Sequence, residues 1–281
     1  MTEPELRVLS LGAGVQSSVM ALMAAHGELE RPHCAIFADT QWEPKGVYEH
    51  LDWLESVVSN PLRVDQPFPV YRVTAGNIRE DHLAELQGKP KTNSWRVGIP
   101  LFVKGGIGRR QCTANYKIGP VRKKIREMLG VEKGRRVPKG TVIELQMGIT
   151  TDEAMRMKPS RDKWINHTWP LIDAGMSRQD CLNWFFKAYP DRTLEKSACI
   201  GCPFHNNVMW RDMKLNDPVS FADAVEFDQK IRKDGAILPG MKNQQYLHRS
   251  CKPLDEVDFR NLEDKGQMNM FNNECEGMCG V

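Results

Sequence analysis

Long apolar runs are absent from this sequence. In its 281 residues, no uninterrupted hydrophobic stretch reaches the roughly 18 residues that a membrane-spanning helix needs. The amino terminus is acidic, whereas a secretory signal begins with basic residues and continues with an apolar stretch. Internal repeats are also absent, and a hydrophobic content of 41% with 27% charged residues is ordinary for a globular chain. We therefore expect a compact cytoplasmic protein that does not associate with membranes.

A large excess of one charge sign is also missing, since the formal net charge is only +3. The basic residues are nevertheless concentrated. The segment Lys104–Lys139 contains twelve Lys and Arg residues against two Glu residues. Such a segment is typical of a solvated helix face or of a surface that binds phosphate groups, on small molecules or on polymers. The sequence leaves both interpretations open, and nucleic acid is one candidate partner.

Cysteine is abundant, with eight residues in a chain that lacks a secretory signal, which favours metal or redox chemistry over a disulfide scaffold. Cys199-Ile-Gly-Cys202 is a spacing that brings two thiolates onto one metal ion or cluster. Zinc is one alternative, because His205 and Cys112 can complete a set of four ligands with this pair. A thioredoxin-like redox pair is another, although no strand–helix–strand pattern surrounds it.

Apolar runs alternate with helical patterns in the first half of the chain. Leu6–Leu11 is a short apolar run that stops at Gly12-Ala-Gly14, and the apolar period that begins at Val15 is helical. Further strands are predicted at His33–Ala38, Pro69–Val73 and Val142–Gly148, and further helices at Val47–Leu54 and Pro120–Leu129. Such alternation predicts an α/β fold, in which a parallel twisted sheet carries helices on both faces.

The second half of the chain is richer in helical patterns, which predict helices at Asp180–Tyr189 and Phe221–Arg232. A polar tail with Cys275 and Cys279 follows. We place a domain boundary near residue 170. The expected organisation is an α/β domain over residues 1–170 and, over residues 171–281, a mostly helical region that carries the Cys-x-x-Cys motif and the tail.

The loop after the first strand combines small residues and hydroxyls at the start of a helix. Unpaired backbone N–H groups and the helix dipole attract phosphate at such a position. The loop has neither the lysine of a Walker loop nor the glycine spacing of a dinucleotide fingerprint. Ser10–Ser18 is therefore either an anion site or a simple strand-to-helix turn.

Several segments resemble the phosphoadenylylsulfate (PAPS) reductases and their relatives among the adenine nucleotide alpha hydrolases. Leu9–Val19 resembles the family's nucleotide loop. Phe37–Thr40, Gly148–Arg156 and Trp169–Ile172 are similar to later family segments, so that the resemblance covers residues 6–205 in blocks. It implies the family's fold over residues 1–170 and an adenine nucleotide, either ATP or a sulfonucleotide. The nucleotide-binding residues that it implies are Ser10, Gly12, Gly14, Gln16, Ser17, Ser18, Asp39, Thr40 and Gly148.

Gln16 departs from the branch of the family that splits ATP, which has aspartate at this position. It resembles the reductase branch instead. An acidic ligand for magnesium is thereby missing from the loop, which argues against release of pyrophosphate from ATP.

The segment Cys112–Pro120 resembles the part of sulfonucleotide reductases in which a Cys-Cys pair precedes a lysine and a proline. In that family the pair and a distant Cys-x-x-Cys hold a four-iron four-sulfur cluster. Gln111 replaces the first cysteine here. The resemblance therefore implies a cluster with three ligands, whose fourth position is open or filled by a cysteine from elsewhere. The implied ligands are Cys112, Cys199 and Cys202.

Glu274-Cys275 resembles the start of the reductase tail, whose cysteine attacks sulfate sulfur. The catalytic residues that the family implies are Cys275, Lys117 and Arg156, with a thiol or thioredoxin-like electron donor that releases sulfite. Two alternatives remain. One is ATP-dependent sulfur transfer to a nucleic-acid base, with the basic segment holding the RNA or DNA. The other is a non-enzymatic zinc or iron–sulfur protein that binds nucleic acid.

Three other cysteines carry no functional expectation. Cys34 in a buried strand and Cys181 on the apolar side of a helix are predicted to be core residues. Cys251 has no assigned role.

Overall fold

The structure, a computed structural model, describes residues 4–89, 97–194, 196–233 and 243–260. The strands in these ranges are β1 (Leu6–Leu11), β2 (Cys34–Asp39), β3 (Val70–Thr74), β4 (Phe102–Val103), β5 (Gly106–Ile107), β6 (Ile143–Met147) and β7 (Ile165–Thr168). The helices are α1 (Val15–Ala25), α2 (Lys45–Val58), α3 (Ile78–Leu86), α4 (Gly119–Met128), α5 (Pro170–Asp173), α6 (Arg178–Ala188), α7 (Asn207–Asn216) and α8 (Pro218–Lys230).

The chain forms two compact units, and each is discontinuous in sequence. The first contains the described parts of Met1–Asp39, Gly46–Val73 and Ile118–Ser197. The second contains the described parts of Thr40–Lys45, Thr74–Lys117 and Ala198–Val281. The position near residue 170, where the sequence predicts a boundary, falls inside the first unit.

The first unit is built on a five-stranded sheet in the order β3-β2-β1-β6-β7. β1 pairs in parallel with both β2 and β6, and β6 pairs in parallel with β7. The predicted α/β class and its parallel sheet are confirmed at this level. The strand order reverses at β1, and ligands of open parallel sheets bind outside the carboxyl ends of the strands at such a reversal. The loop that follows β1 therefore lies at the edge of the sheet where a site is expected.

Helices cover both faces of this sheet. Ala35 and Phe37 on β2 belong to the apolar core that also contains residues of α1, α2 and α6. Successive strand residues point to opposite faces, and Cys34 accordingly lies on the other side, where its Sγ is 3.9 Å from Met128 Sδ on α4. Cys34 and Cys181 are fully buried, so the prediction that both are core residues is confirmed.

The second unit has its own apolar core, to which α3, α7 and α8 contribute. β4 and β5 form a short antiparallel pair. Asp228, which is fully buried, anchors the segment Leu247–Leu254, because its carboxylate accepts the backbone N–H groups of Leu247 and Leu254 at 2.9 Å and pairs with Arg232 at 2.5 Å. None of the helices in the described ranges has the length and apolarity needed to cross a bilayer.

Candidate functional site

The loop between β1 and α1 folds back on itself. Ser17 Oγ accepts the backbone N–H of Gly12 at 3.1 Å and donates to the carbonyl of Gly14 at 3.3 Å. Ala13, which is buried, has a left-handed backbone with a φ of 53°. Gly14 caps α1 without a side-chain hydrogen bond, and no acidic residue occupies the first turn. The first N–H groups of α1 thus have no side-chain acceptor, which suits an anion at this end of the helix.

Gly148 brings the end of β6 against the same loop. A Cβ atom at this position would lie 2.9 Å from the backbone nitrogen of Ser17, which is too close for a side chain. Glycine is therefore required here by a close backbone approach. Ser10 lies within β1, where it pairs with Ile36 and Met147 of the neighbouring strands.

Gln16 contacts two charged residues, one of which pairs with a third. Its Nε2 donates to Glu153 Oε2 at 3.1 Å, and its Oε1 accepts from Arg178 Nη1 at 3.0 Å. Arg156 pairs with the same Glu153 oxygen at 2.6 Å. The structure thus brings together two predicted site residues, Gln16 and Arg156. Glu153 and Arg178 belong to the same group of contacts, and nothing in the sequence indicated Arg178.

Ser18 is anchored by a histidine. Ser18 Oγ and His50 Nε2 are 2.9 Å apart, and both side chains are buried. Burial and the nearby charge of Arg192 lower the pKa of His50 to about 4, so the ring is neutral at physiological pH. The pair ties the first turn of α1 to α2. Asp39, at the end of β2, accepts a 2.8 Å hydrogen bond from Tyr48.

Thr40, expected beside the nucleotide, contacts a cysteine within the second unit. Its Oγ1 lies 3.2 Å from Cys199 Sγ and donates to Glu43 Oε1 at 3.1 Å. The Cys199 thiol is also 3.4 Å from the same Glu43 oxygen. Thr40, Glu43 and Cys199 therefore form one hydrogen-bonded group.

Cys112, Cys199 and Cys202 line a single cavity of the second unit. The cavity has a volume of about 50 Å³ and is partly open to solvent. Arg110 and Lys117 supply positive charge to its wall. The remaining wall is mostly apolar and includes Trp42, Ile78, Ile99 and Phe204. The three cysteines predicted to share a metal centre are thus neighbours around one space.

Local backbone geometry explains why Lys117 and Cys112 line the same cavity. Cys112 directly precedes a π-helical turn over Thr113–Ile118. Residues five apart are hydrogen-bond partners in a π-helix, so the side chains of 112 and 117 fall on similar sides of the turn. Cys199 and Cys202 are joined by their own turn, in which the Cys202 N–H donates to the Cys199 carbonyl at 3.0 Å.

The electrostatic environment of the cavity disfavours free thiolates. Burial raises the pKa of Cys112, although Arg110 and Lys117 act in the opposite direction. The pKa of Cys199 is raised well above its ordinary value by burial and by the Glu43 carboxylate, against the opposing effect of Lys117. Both thiols therefore need a strong source of positive charge to ionise.

Thiols are the donors that soft metals and iron–sulfur clusters prefer, and the three cysteines line one largely apolar cavity. Within the described ranges, no group of three or more His, Cys, Asp or Glu side chains is arranged so that it could hold a metal ion. His205, the alternative zinc ligand, packs its ring 4.7 Å from that of Trp210.

The tail cysteines Cys275 and Cys279 lie outside the described residues, and so does Glu274. Cys251 adopts a left-handed backbone with a φ of 51° and does not line the cysteine cavity. Sequence reasoning missed Glu43 and Arg110. Arg110 could have been found from the sequence, because it stands two residues before Cys112. Nothing in the sequence around Glu43 indicates a functional role.

The basic segment Lys104–Lys139 is divided between the two units. Several of its basic side chains form ion pairs or hydrogen bonds with nearby residues. Arg122 pairs with Asp162 at 2.6 Å, and Arg126 donates to the carbonyl of Arg135 at 2.5 Å. Its role as a nucleic-acid surface stays a prediction.

Comparison of the chain with protein-family models and with curated proteins gives no match.

Proposed function

We propose that this chain is a PAPS reductase-like iron–sulfur enzyme that binds an adenine nucleotide and reduces an adenylylated sulfate to sulfite. The observation that carries the proposal is the cysteine cavity, where Cys112 meets the distant pair Cys199 and Cys202 beside two cations. Cysteines around one cavity are the donors that a metal centre would use, and cations suit an anionic sulfur group. The strand order that reverses at β1 supports the finer fold assignment, an adenine nucleotide alpha hydrolase-like sheet.

The nucleotide is assigned to the loop Gly12–Ser18. Its phosphate would accept the N–H groups at the start of α1, and Arg156 and Arg178 provide positive charge through their contacts around Gln16. Cys112, Cys199 and Cys202 would hold the cluster. When bound there, a cluster supplies a local electrostatic field and holds its three ligands as thiolates.

In the proposed reaction, the thiolate of Cys275 attacks the sulfate sulfur of the substrate. A sulfur–sulfur bond forms, the bond from sulfur to the bridging phosphate oxygen breaks, and the nucleotide leaves with that electron pair. A thiol or thioredoxin-like donor then attacks Cys275 sulfur, so that a disulfide forms and sulfite departs. Lys117 and Arg156 would offset the negative charge of the sulfate. The role of Cys275 rests on the resemblance alone.

Anaerobic purification followed by a sulfite assay tests this proposal. The protein should be brown and should release sulfite from a sulfonucleotide in the presence of a thiol donor. Cys275→Ser should bind nucleotide normally but release no sulfite. Cys199→Ser should lose the colour, and Cys34→Ser, which changes a core cysteine outside the cavity, should keep it. A colourless wild type with stoichiometric zinc would contradict the cluster assignment.

A second candidate, ATP-dependent sulfur transfer to a nucleic-acid base, has one observation in its favour. The cysteine cavity has aromatic walls, and the Arg110 guanidinium lies 5.6 Å from the ring centroid of Phe204. Unpaired bases stack on such aromatic and guanidinium planes. This candidate predicts ATP turnover without sulfite and nucleic-acid binding that weakens steeply with salt, because phosphate contacts release counterions. The reductase predicts neither.

A further inference from the structure

Arg110 is a charged residue at the wall of the cysteine cavity. Its guanidinium lies over the ring of Phe204, 5.6 Å from the ring centroid. No hydrogen bond or ion pair joins this guanidinium to any residue in the part of the chain that the structure describes. A cation–π contact restrains a guanidinium without occupying its N–H groups. The donors of Arg110 can therefore serve a ligand.

The backbone holds both members of this contact beside the cysteines. Arg110 lies two residues before Cys112, whose N–H donates to the Gly98 carbonyl at 3.2 Å. Phe204 lies two residues after Cys202, in a turn that a 3.1 Å hydrogen bond to the Cys202 carbonyl closes. The guanidinium is thus tied to two segments that carry cysteines of the cavity. Such preorganisation lowers the entropy cost of binding a ligand.

The charge and the size of the cavity indicate which ligand fits. None of the described residues that line it is acidic, and its positive charges come from Arg110 and Lys117. The cavity has a volume of about 50 Å³. One water molecule needs about 10–15 Å³ of such space, so that about four water-sized groups fit. A sulfate or sulfonate group has this size, whereas a nucleobase is larger.

We propose that Arg110 binds the sulfate end of the substrate in the cysteine cavity and makes this site selective for a tetrahedral sulfur oxyanion. The inference rests on the proposed function in taking an adenylylated sulfate as the substrate, and it names the residue that recognises the group to be reduced. A guanidinium presents its N–H donors in a planar fork that matches the oxygens of an oxyanion. Beside a largely apolar wall, such charged hydrogen bonds are stronger than in water. Phe204 is a positioning residue, because it restrains the guanidinium.

Isothermal titration calorimetry of the full-length protein tests this role. The probes are adenylyl sulfate and AMP, which share the adenosine and its phosphate and differ in the sulfate. All proteins carry Cys275→Ser, so that the probe is bound without reacting. This parent protein is compared with its Arg110→Ala, Arg110→Lys and Phe204→Leu variants and with the control Arg109→Ala. Arg109 is an exposed cation at the neighbouring position and does not line the cavity.

Arg110→Ala should weaken the binding of adenylyl sulfate about 10–100-fold and leave that of AMP within about 2-fold of the parent, because only the sulfate loses its donor. Arg110→Lys should give an intermediate loss, since an ammonium keeps the charge and lacks the fork. Phe204→Leu should give a smaller loss, again for adenylyl sulfate alone. Arg109→Ala should bind both probes like the parent. The ratio of the two dissociation constants is the readout, because a general structural defect weakens both probes and leaves their ratio unchanged.

Two failures are distinguishable. If the protein with Cys275 intact releases sulfite and the ratio for Arg110→Ala equals that of the parent, Arg110 does not recognise the sulfate and the proposed function stands. If no sulfite is released, the proposed function fails and inorganic sulfate decides on Arg110. Sodium sulfate should then raise the unfolding temperature of the parent and of Arg109→Ala more than that of Arg110→Ala, relative to sodium chloride at equal ionic strength. Equal shifts in these proteins would overturn the oxyanion site as well.

Discussion

Gly201, between Cys199 and Cys202, should tolerate no side chain. A Cβ atom there would lie 2.8 Å from Cζ2 of Trp42 and closer still to two neighbouring ring carbons. Trp42 has little freedom to move, because its Nε1 donates to Asp223 at 2.5 Å and its ring lies 4.7 Å from that of Phe227. Gly201→Ala therefore forces either the ring or the Cys-x-x-Cys turn out of place.

The cost follows from the contacts involved. Overpacking a close-packed site costs typically about 1–3 kcal/mol, and a clash with several atoms of a fixed ring puts Gly201→Ala near the upper end of that range. For a chain of this size, a loss of about 3 kcal/mol lowers the unfolding temperature by roughly 5 °C. Loss of cluster binding should accompany the change, because the turn carries two of its three proposed cysteine ligands.

Urea denaturation and thermal unfolding of the metal-free protein measure this effect. Gly106→Ala is the matched control, since no atom lies within 4 Å of its added Cβ, and it should stay within about 0.5 kcal/mol of wild type. In a Trp42→Leu background, which removes the ring, Gly201→Ala should cost clearly less. A Gly201→Ala protein as stable as the control, with Trp42 intact, would refute the reasoning.

Gly148→Ala should weaken the thermal stabilisation by adenine nucleotide, because its Cβ would lie 2.9 Å from the Ser17 nitrogen; Gly106→Ala, outside the loop and with no atom within 4 Å of its added Cβ, is the control, and equal shifts would count against the loop. Asp228→Ala should cost about 3–5 kcal/mol in urea, since it leaves two buried backbone N–H groups and the partly buried Arg232 without this acceptor. The pKa of His50 falls from 6.5 to about 4 on folding, so the unfolded chain binds more protons between these values. Stability should therefore decrease from pH 6.5 towards 4, and a flat profile would contradict the neutral ring.

The elements that the sequence predicted well are those whose signal is local. β1, α1 and β2 follow from apolar runs, a glycine turn and a helical period in adjacent segments. α3 was missed because two residues on its buried side, Arg79 and Glu85, are charged and disrupt the apolar period. Their burial depends on distant partners, since Arg79 pairs with Asp223 at 2.9 Å. No local pattern contains that information.

The residues of the candidate site likewise divide into those with a local sequence pattern and those that depend on distant parts of the chain. Spacing alone made Cys199 and Cys202 a pair, and a resemblance was needed to connect Cys112 with them. Glu43 was not found, because no local pattern indicates that the fold buries its carboxylate against the Cys199 thiol. Thr40 was assigned to the nucleotide by the resemblance, and that assignment stays a prediction; the structure adds that its hydroxyl contacts Cys199 and Glu43. The order of strands in the sheet, which no local pattern specifies, was not predicted either.

In the proposed function, the charges around the cysteine cavity have to stabilise the cysteine thiolates and also attract the sulfate group. Burial and Glu43 raise the pKa of Cys199, so this site resists thiolate formation until positive charge arrives. Positive charge from a metal bound to the cysteines would favour their thiolate forms. Lys117 and Arg110 line the same cavity, and their charge would attract an anion that enters it. Metal loading would in this way prepare the site for a sulfate group, which links the proposed centre to the proposed substrate through electrostatics alone.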